Sequence, residues 1–503
     1  MRSTYARSAT YARFASYASY ATYARARTAV ACLLGGVLLA AGALTAPAAQ
    51  AAPAPVPDAG AARTAAPAIP PLTDERGRAL TLRGWNVEDK THRGDKALSL
   101  ITEKHFRDMS AQGFNFARLL VFWDDLEPRR GRYSEQYLRK IDRILGWAHK
   151  HGMKVLIDGH QDVFGPAFGH RGIPEWATRT DGLPFTPNPD DWFSEYFQPA
   201  VQRAFTHLYE DKDLQKAQAD IWRLLADRYG DHPAVFGYDF LNEPMGELKE
   251  GEDLPTAARR IERDQVTPMH NRLAAAVRSV DAKKWLFVEP TPIVGEGVPT
   301  GLGEIKDPKR KVVYAPHFYN TAMEAGADYD PAAGWIEAYE AAVTQYPQRY
   351  RVPVVIGEWG PLNNAGPNMA RFYEDALASF ARYSSGWAGY VWCYGGGYCA
   401  VDGEGRLRGH KARTAEPYAS AVAGRASSAS YDPGAGRYSL TYEAGRRGGT
   451  TTEISVPASA NGWWVSVRGR AWSGTRYVEP GRAEVVRVRA VPGAVVTVTV
   501  RRG

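Results

Sequence analysis

Short apolar segments alternate with helical patterns through most of this chain, and this alternation constrains the fold more than any other feature. It predicts eight strands between residues 80 and 392, with amphipathic helices between most of them. Strands that alternate with helices form a parallel sheet whose faces are covered by the helices. The predicted strands are 80–87, 114–122, 154–159, 235–241, 285–290, 312–318, 353–358 and 389–392.

The length of this segment favours a closed barrel. Roughly 340 residues accommodate a (β/α)8 barrel with some insertions. An open doubly wound sheet is the alternative, but no glycine-rich phosphate loop follows the first predicted strand. We therefore predict an α/β fold, with a (β/α)8 TIM barrel over residues 71–424.

After residue 424 the apolar pattern changes to a period of two, which predicts a C-terminal antiparallel β-sandwich over residues 425–503. This segment carries twelve Arg against five Asp or Glu. Four of these arginines alternate with Val, so we expect one exposed basic face that contacts a membrane or micelle surface, or that only keeps the domain soluble. They are Arg487, Arg489, Arg501 and Arg502.

The N-terminal segment has the pattern of an export signal. Residues 30–44 form an apolar run of about 15 residues, which is short for a bilayer span, and a small-x-small cleavage pattern follows at 49–51. We predict a signal peptide with an extended n-region over 1–51, an Ala/Pro-rich linker over 52–70, and a secreted, extracellular protein. Without residues 1–51 and their five Arg the chain is nearly neutral, which argues against a nucleic-acid partner.

Two cysteines remain after the predicted signal peptide, Cys393 and Cys399. In an exported protein, two cysteines so close in sequence are predicted to form a disulfide. Two free buried thiols are the alternative. The disulfide would brace the loop after the last predicted strand.

Functional side chains concentrate where the predicted strands end, and these ends form the active site in (β/α)8 barrels. The fourth and seventh predicted strands each run from an apolar core to a glutamate, Glu243 and Glu358. Buried carboxylates are costly without a partner, and two in one cavity fit glycoside hydrolysis, which needs an acid and a nucleophile. Other side chains at these ends are Asn86, Lys90, Arg118, His160, Asp162, Asn242, Glu289, His317, Tyr319 and Trp392.

Two short motifs at these ends, Asn242-Glu243-Pro244 and Glu358-Trp359, resemble those of glycoside hydrolase family 5 and its clan. The resemblance implies a retaining enzyme with Glu243 as acid/base and Glu358 as nucleophile. Longer segments, GWNVEDK (84–90), VLIDGHQDVFG (155–165) and residues 117–145, resemble the endoglycoceramidase branch of that family. Members of this branch cleave the bond between glycan and ceramide in glycosphingolipids.

The same resemblance implies roles for the side chains around the two glutamates. Tyr319 would hold Glu358, and Arg118 would keep it ionised. Asn242 would bind the sugar 2-hydroxyl, and Trp392 would offer the sugar a stacking face. No metal and no cofactor is implied. The predicted substrate-binding residues are Lys90, Arg118, His160, Asp162, Asn242, His317, Tyr319 and Trp392.

Alternatives remain for several of these residues. Arg118 could be a structural ion-pair partner, and His317 could satisfy core backbone groups. Glu289 is interpreted as a support of the barrel mouth. The aromatic-rich segment 162–213 forms either a lid or lipid slot, or a staple that only packs on the barrel. Gly159, where the branch usually has a larger residue, leaves the choice between glucosyl and galactosyl substrates open.

The sequence as a whole predicts a monomeric, secreted, endoglycoceramidase-like glycosidase that acts on a glycosphingolipid. One rival is another family 5 β-glycosidase, acting on glucosylceramide, a steryl glucoside or β-glucan. A rival from a different class is a glycan-binding protein without catalysis. Both carboxylates and the side chains around them are present, which favours an enzyme.

Overall fold

The structure is a computed structural model that describes residues 68–362, 366–446 and 451–503. The predicted signal peptide and most of the predicted linker lie outside the described residues. Among the helices that are described, none has both the length and the apolar character needed to cross a membrane.

Seven parallel strands curl into one sheet, in which neighbours in sequence are mostly neighbours in space. After a short β1 (Ala79–Leu80), these strands are β2 (Leu82–Val87), β3 (Phe116–Val121), β4 (Lys154–Gly159), β5 (Val235–Asp239), β6 (Trp285–Val288), β7 (Val312–Tyr314) and β8 (Gly386–Gly389). The order across the sheet is β7-β6-β5-β4-β3-β2-β8. The two edges, β7 and β8, therefore face the gap that an eighth strand would fill.

The segment 353–359 fills this gap and closes the barrel. Val354 forms a parallel bridge to Tyr314 in β7, and Ile356 forms one to Trp387 in β8. This segment is the seventh strand predicted from sequence, so the predicted (β/α)8 barrel is confirmed.

The eighth predicted strand, 389–392, was wrong in position, because the strand occupies Gly386–Gly389. Its first residue explains the pairing with β2. An ideal Cβ on Gly386 would lie 1.9 Å from the carbonyl oxygen of Leu82, so the two backbones approach at a distance that only glycine permits. Residues 390–392 follow the strand and lie near the barrel mouth.

Amphipathic helices cover the outside of the barrel. In the helix Glu135–Lys150 the side chain of Ser134 caps the N-terminus by accepting from the Tyr137 N–H, and one face of the helix is buried against the sheet. The helices are α1 (Glu103–Ala111), α2 (Trp123–Leu126), α3 (Glu135–Lys150), α4 (Pro199–Glu210), α5 (Lys212–Tyr229), α6 (Leu254–Ile261), α7 (Thr267–Arg278), α8 (Thr321–Glu324), α9 (Trp335–Val343), α10 (Gln345–Tyr350) and α11 (Met369–Tyr383).

The aromatic segment after β4 packs mainly inward. Phe164, Tyr196 and Phe205 are buried, and the ring of Phe205 lies 5.0 Å from Phe164 and 6.2 Å from Tyr196. Other rings of the segment, such as Trp192 and Phe197, are half-buried against the same core. The staple interpretation therefore accounts for most of these rings.

Two antiparallel five-stranded sheets form the C-terminal sandwich, with a core between them. One sheet has the order β1-β9-β12-β16-β14 and the other β10-β11-β17-β13-β15. Its strands are β9 (Tyr418–Val422), β10 (Gly424–Asp432), β11 (Arg437–Ala444), β12 (Thr451–Val456), β13 (Trp463–Gly469), β14 (Ala471–Ser473), β15 (Tyr477–Val478), β16 (Glu484–Ala490) and β17 (Val495–Arg502). Because β9 pairs with β12, the sandwich begins before the predicted boundary at residue 425.

The four C-terminal arginines do not share a face, contrary to the prediction. Arg487 and Arg489 lie on β16, whereas Arg501 and Arg502 lie on β17 in the other sheet. The outer surfaces of the two sheets of a sandwich point in opposite directions. Alternation with Val is the same in both strands and does not reveal which sheet each strand joins.

The sandwich contacts the barrel at the amino-terminal ends of the barrel strands. The hydroxyls of Ser455 and Tyr418 donate to the Gly113 carbonyl, just before β3, at 2.6 and 3.2 Å. Nη1 of Arg83, at the start of β2, donates to Glu416 at 3.1 Å. These contacts lie at the end of the barrel opposite to the carboxyl ends of the strands.

Candidate active site

A single buried arginine on β3, Arg118, organises the carboxyl end of the barrel, and its side chain is 0% exposed. Its Nη1 donates to Glu358 Oε1 at 2.7 Å, and its Nη2 donates to Glu289 Oε1 at 2.7 Å. Its third nitrogen, Nε, donates to Asp239 at 2.9 Å, so each guanidinium nitrogen lies next to at least one carboxylate. The remaining partners are Asn86 at Nη1 (2.9 Å), Asn242 at Nη2 (3.0 Å) and Asp158 at Nη2 (2.9 Å).

Glu358 is held at both carboxylate oxygens. Arg118 donates to Oε1, and the Tyr319 hydroxyl donates to Oε2 at 2.9 Å. Burial by itself would raise the pKa of Glu358, which is 6% exposed, but the charges of His317 and Arg118 outweigh it and lower that pKa. The carboxylate is therefore ionised near neutral pH, as a nucleophile must be.

Glu243 has a different environment, formed by His317 and by contacts to its own backbone. Its Oε1 lies 2.9 Å from Nδ1 of His317. Its φ is +41°, in the left-handed region that non-glycine residues rarely occupy. Its backbone N–H donates to Glu289 Oε2 at 2.8 Å, and its carbonyl accepts from Nε2 of Gln161 at 3.0 Å. The backbone of Glu243 is thus held on both sides of its Cα.

The same imidazole nitrogen relates the two glutamates to each other. Nδ1 of His317 lies 2.9 Å from Oε1 of Glu243 and 3.8 Å from Oε2 of Glu358. The two oxygens are no farther apart than the sum of these distances. That limit favours the separation of about 5–5.5 Å in retaining glycosidases over most of the range of about 6.5–9.5 Å in inverting ones.

A second group of polar side chains lies at the ends of β2 and β4. Nδ1 of His160 pairs with Oδ2 of Asp158 at 2.7 Å, and its Nε2 lies 3.6 Å from Asp162. Nζ of Lys90 lies 2.9 Å from Oδ2 of Asp162. Burial by itself would raise the pKa of Asp162, but Lys90 and His160 lower it well below its usual range. Asp158 connects this group to Arg118.

Trp392, for which a sugar-stacking face was predicted, packs against other aromatic rings. Its side chain is buried, with the residue 1% exposed, and its ring lies 6.0 Å from the rings of both Trp85 and Phe114. The ring therefore packs in the barrel core, and the backbone N–H of Trp392 donates to the Asn86 carbonyl at 2.9 Å. The stacking role of Trp392 stays a prediction.

Several residues that sequence reasoning passed over contribute to this site. Asp158 and Asp239 are single acids inside apolar strands, a signal that could have identified them. Gln161 was used only as part of a family motif. Its amide holds the carbonyls of both Asn242 and Glu243.

Three of the acids come close enough to suggest a cation site. One oxygen atom from each of Asp158, Asp239 and Glu289 lies within 4.8 Å of the others. Arg118 contacts all three carboxylates and already supplies positive charge at their centre. We interpret this cluster as an ion-pair network around Arg118.

The glycine before His160 has a packing explanation. An ideal Cβ on Gly159 would lie 2.7 Å from Cζ2 of Trp222 and 2.9 Å from the Phe240 carbonyl oxygen. Trp222 belongs to α5, which covers the outside of the barrel. A larger residue at 159 would require this ring or the strand backbone to move, so packing against α5 explains the glycine.

Replacing Arg118 with Met should destabilise the fold, because it leaves several carboxylates buried without a cation. We expect the free energy of unfolding at pH 7 to fall by about 3–5 kcal/mol. The arginine lowers the pKa of Glu358, so its contribution is present above the ordinary pKa of a glutamate and is lost as pH falls. Denaturant titrations at pH 7 and pH 4 measure the difference. The exposed pair of Arg228 with Asp142 gives the control: Arg228→Met should cost less than about 1 kcal/mol. An equal loss in both variants would contradict the account.

Named relatives are similar to this chain in sequence. The chain is 31% identical over 264 residues to an endoglycoceramidase of Cyanea nozakii, which covers 46% of this chain and 52% of the relative. This chain thus spans about half the length of that relative. An endoglycoceramidase I of Rhodococcus hoagii is 26% identical over 447 residues, which covers 86% of this chain and 87% of the relative.

Solved structures agree with the sequence comparison. Endo-glycoceramidase II from Rhodococcus sp., in complex with ganglioside GM3, superposes with a TM-score of 0.75 and 30% identity. The match covers 86% of this chain and all of that structure.

Family models cover nearly all of the two domains. The model of Cellulase (glycosyl hydrolase family 5) matches residues 73–396, which is the barrel. The model of the glycoside hydrolase family 5 C-terminal domain matches residues 417–500, which is the sandwich. The chain therefore belongs to glycoside hydrolase family 5.

Proposed function

We propose that this chain is a retaining glycosidase that cleaves the β-glycosidic bond between glycan and ceramide in glycosphingolipids. The observation that carries the proposal is the pair of glutamates in unlike environments. Glu358 is ionised between Arg118 and Tyr319, and Glu243 is paired with His317. Similarity to proteins named endoglycoceramidases supports the lipid substrate.

The first step uses the two glutamates on opposite tasks. Glu358 attacks the anomeric carbon and forms a covalent glycosyl-enzyme, while Glu243 gives its proton to the departing ceramide oxygen. Arg118 and Tyr319 keep the attacking carboxylate ionised and oriented. Each donates to a different oxygen of Glu358, which limits its rotation.

The second step returns the enzyme to its starting state. Glu243, now ionised, takes a proton from water, and the resulting hydroxide releases the glycan from Glu358. Asn242 accepts from Arg118 through Oδ1 and donates one N–H to the Gln161 carbonyl. An amide nitrogen has two hydrogens, so the second can reach the sugar 2-hydroxyl in both steps.

The polar group at the ends of β2 and β4 supplies the sugar-binding side of the site. Lys90 and His160 offer an ammonium and an imidazole group, each within 4 Å of the Asp162 carboxylate. Such a mixture of donors and acceptors matches the hydroxyls of one pyranose ring. The half-buried rings of Trp192 and Phe197 lie in the segment that we assign to the lipid side.

We further propose a monomer that is exported and touches lipid surfaces at its periphery. The N-terminal signal pattern and the disulfide Cys393–Cys399 support export. On the outer face of one sandwich sheet, Trp472 is 64% exposed and pairs across strands with Arg489. An aromatic ring beside a cation fits an anionic lipid interface.

Variants of the two glutamates should separate their roles. Glu358→Gln should reduce activity by about 10³-fold or more, because an amide cannot act as the nucleophile. Glu243→Gln should slow cleavage of glycosides with poor leaving groups by about 10²–10⁴-fold but spare activated aryl glycosides in the first step. Azide should then restore turnover in the Glu243 variant alone. Restoration of the Glu358 variant with an unchanged product would reverse the assignment.

A substrate panel tests the lipid specificity directly. Ganglioside, glucosylceramide, a 6-linked galactosyl glycolipid, a steryl glucoside and carboxymethylcellulose are each incubated with the enzyme. We expect release of intact oligosaccharide and ceramide from the ganglioside at the highest kcat/KM. Faster cleavage of carboxymethylcellulose would assign the chain to the β-glucan hydrolases instead. Cleavage of glucosylceramide or the steryl glucoside alone would assign it to the simple glucosidases.

Export and lipid contact have separate readouts on the secreted protein. Intact mass should show an N-terminus after residue 51 and no free thiol. Size-exclusion chromatography with light scattering should show one chain per particle.

Activity on anionic vesicles should fall as salt rises past about 0.2 M, where charge attraction is screened. The variant Trp472→Ala should also have lower activity on these vesicles. Activity on a soluble aryl glycoside should not respond to either change. Equal salt responses for both substrates would refute the lipid contact.

A further inference from the structure

Glu289, directly after β6, is buried in the centre of the site without a part in either chemical step. It is 1% exposed. Its Oε1 accepts from Nη2 of Arg118 at 2.7 Å, and its Oε2 accepts from the backbone N–H of Glu243 at 2.8 Å. Burying a carboxyl group is unfavourable unless its contacts compensate. A buried group held by these two specific contacts therefore indicates a function for Glu289.

The contact with Glu243 falls on a strained part of the chain. The φ of Glu243 is +41°, and such backbone persists only where the surroundings hold it. Glu289 holds the N–H of this residue, and Gln161 holds its carbonyl at 3.0 Å. The backbone dihedrals set the direction in which a side chain leaves the main chain. Whatever fixes this peptide therefore also aims the Glu243 carboxyl group.

The contact with Arg118 connects Glu289 to the other glutamate. The guanidinium is planar and rigid. It donates to Glu289 through Nη2 and to Glu358 through Nη1, both at 2.7 Å. On the other side, Nε2 of His317 lies 3.3 Å from Glu289 Oε2, and Nδ1 of the same ring contacts Glu243. Glu289 thus contacts both Arg118, which donates to Glu358, and His317, which contacts Glu243.

We propose that Glu289 is a positioning residue, which aims the acid/base Glu243 by holding its peptide and fixes it relative to Glu358 through Arg118. The inference rests on the proposed roles of the two glutamates. It differs from support of the barrel mouth, because a mouth support would stabilise the fold without favouring one chemical step. Glu289 acts on proton donation more than on nucleophilic attack, since it touches Glu243 directly and Glu358 only through Arg118.

The test compares leaving groups in the variant Glu289→Gln. One amide oxygen satisfies only one of the two donors, Arg118 and the Glu243 N–H, and the amide nitrogen then faces the other donor. With a phenyl glycoside, whose departure needs the acid, we expect kcat/KM to fall by about 10²-fold. With a 2,4-dinitrophenyl glycoside, which leaves without a proton, we expect a fall of less than about 5-fold. The loss should appear in kcat rather than in KM.

Asp239→Asn is the matched control. Asp239 is buried and accepts from Nε of Arg118 at 2.9 Å, and the contacts described for it do not include the Glu243 peptide. Its variant should affect both glycosides by the same factor. Thermal unfolding checks that each variant is folded. Glu289→Asp, which keeps the carboxyl group but is one methylene shorter, should show the same leaving-group dependence and provides the test if the Gln variant does not fold.

Equal losses on the two glycosides in the Glu289 variants, or no loss, would overturn the positioning role. Failure of the proposed function itself would look different. In that case Glu243→Gln would also lack any dependence on the leaving group, whereas a failed inference leaves the dependence in Glu243→Gln intact.

Discussion

The buried guanidinium of Arg118 is the interaction on which the rest of the site depends. It lies among the carboxylates of Asp158, Asp239, Glu289 and Glu358, all within 3 Å of one of its nitrogens. Without it these acids would be buried near one another at a high cost in repulsion and desolvation. With it, the strands β3, β4, β5 and β6 are joined to the closing segment through one rigid side chain. The carboxyl end of the barrel is therefore both a stable core and a preorganised active site.

This arrangement explains how one cavity holds two glutamates in different environments. The cations near Glu358 lower its pKa, although burial opposes this. Glu243 contacts His317 rather than Arg118, and its orientation is set through its own peptide. Double displacement requires this division, because one carboxyl group must donate a proton while the other attacks. The two environments remain close together because His317 and Arg118 each contact groups on both sides.

The sequence predicted the features that are set by residues close together along the chain, such as strand positions. Lys154–Gly159 was predicted with its exact bounds, and Glu243 and Glu358 were found because each ends an apolar strand. Features that depend on distant contacts were missed. The glycine at 386 pairs closely with Leu82 in β2, which is distant in sequence. The ring of Trp392 packs against Phe114, and Gln161 reaches across to the strand that ends before Asn242. Likewise, a period of two could not tell which sandwich sheet takes β16 and which takes β17.

The stereochemistry of the first product tests the central claim most directly, since it depends on how far apart the two carboxyl groups lie. Hydrolysis of a β-glycoside by the wild-type enzyme is followed by ¹H NMR at high enzyme concentration, so that cleavage outpaces mutarotation. We expect the β-hemiacetal to appear first and the α-anomer only later, by mutarotation. Initial appearance of the α-anomer would show inversion and would contradict the assignment of Glu358 as nucleophile.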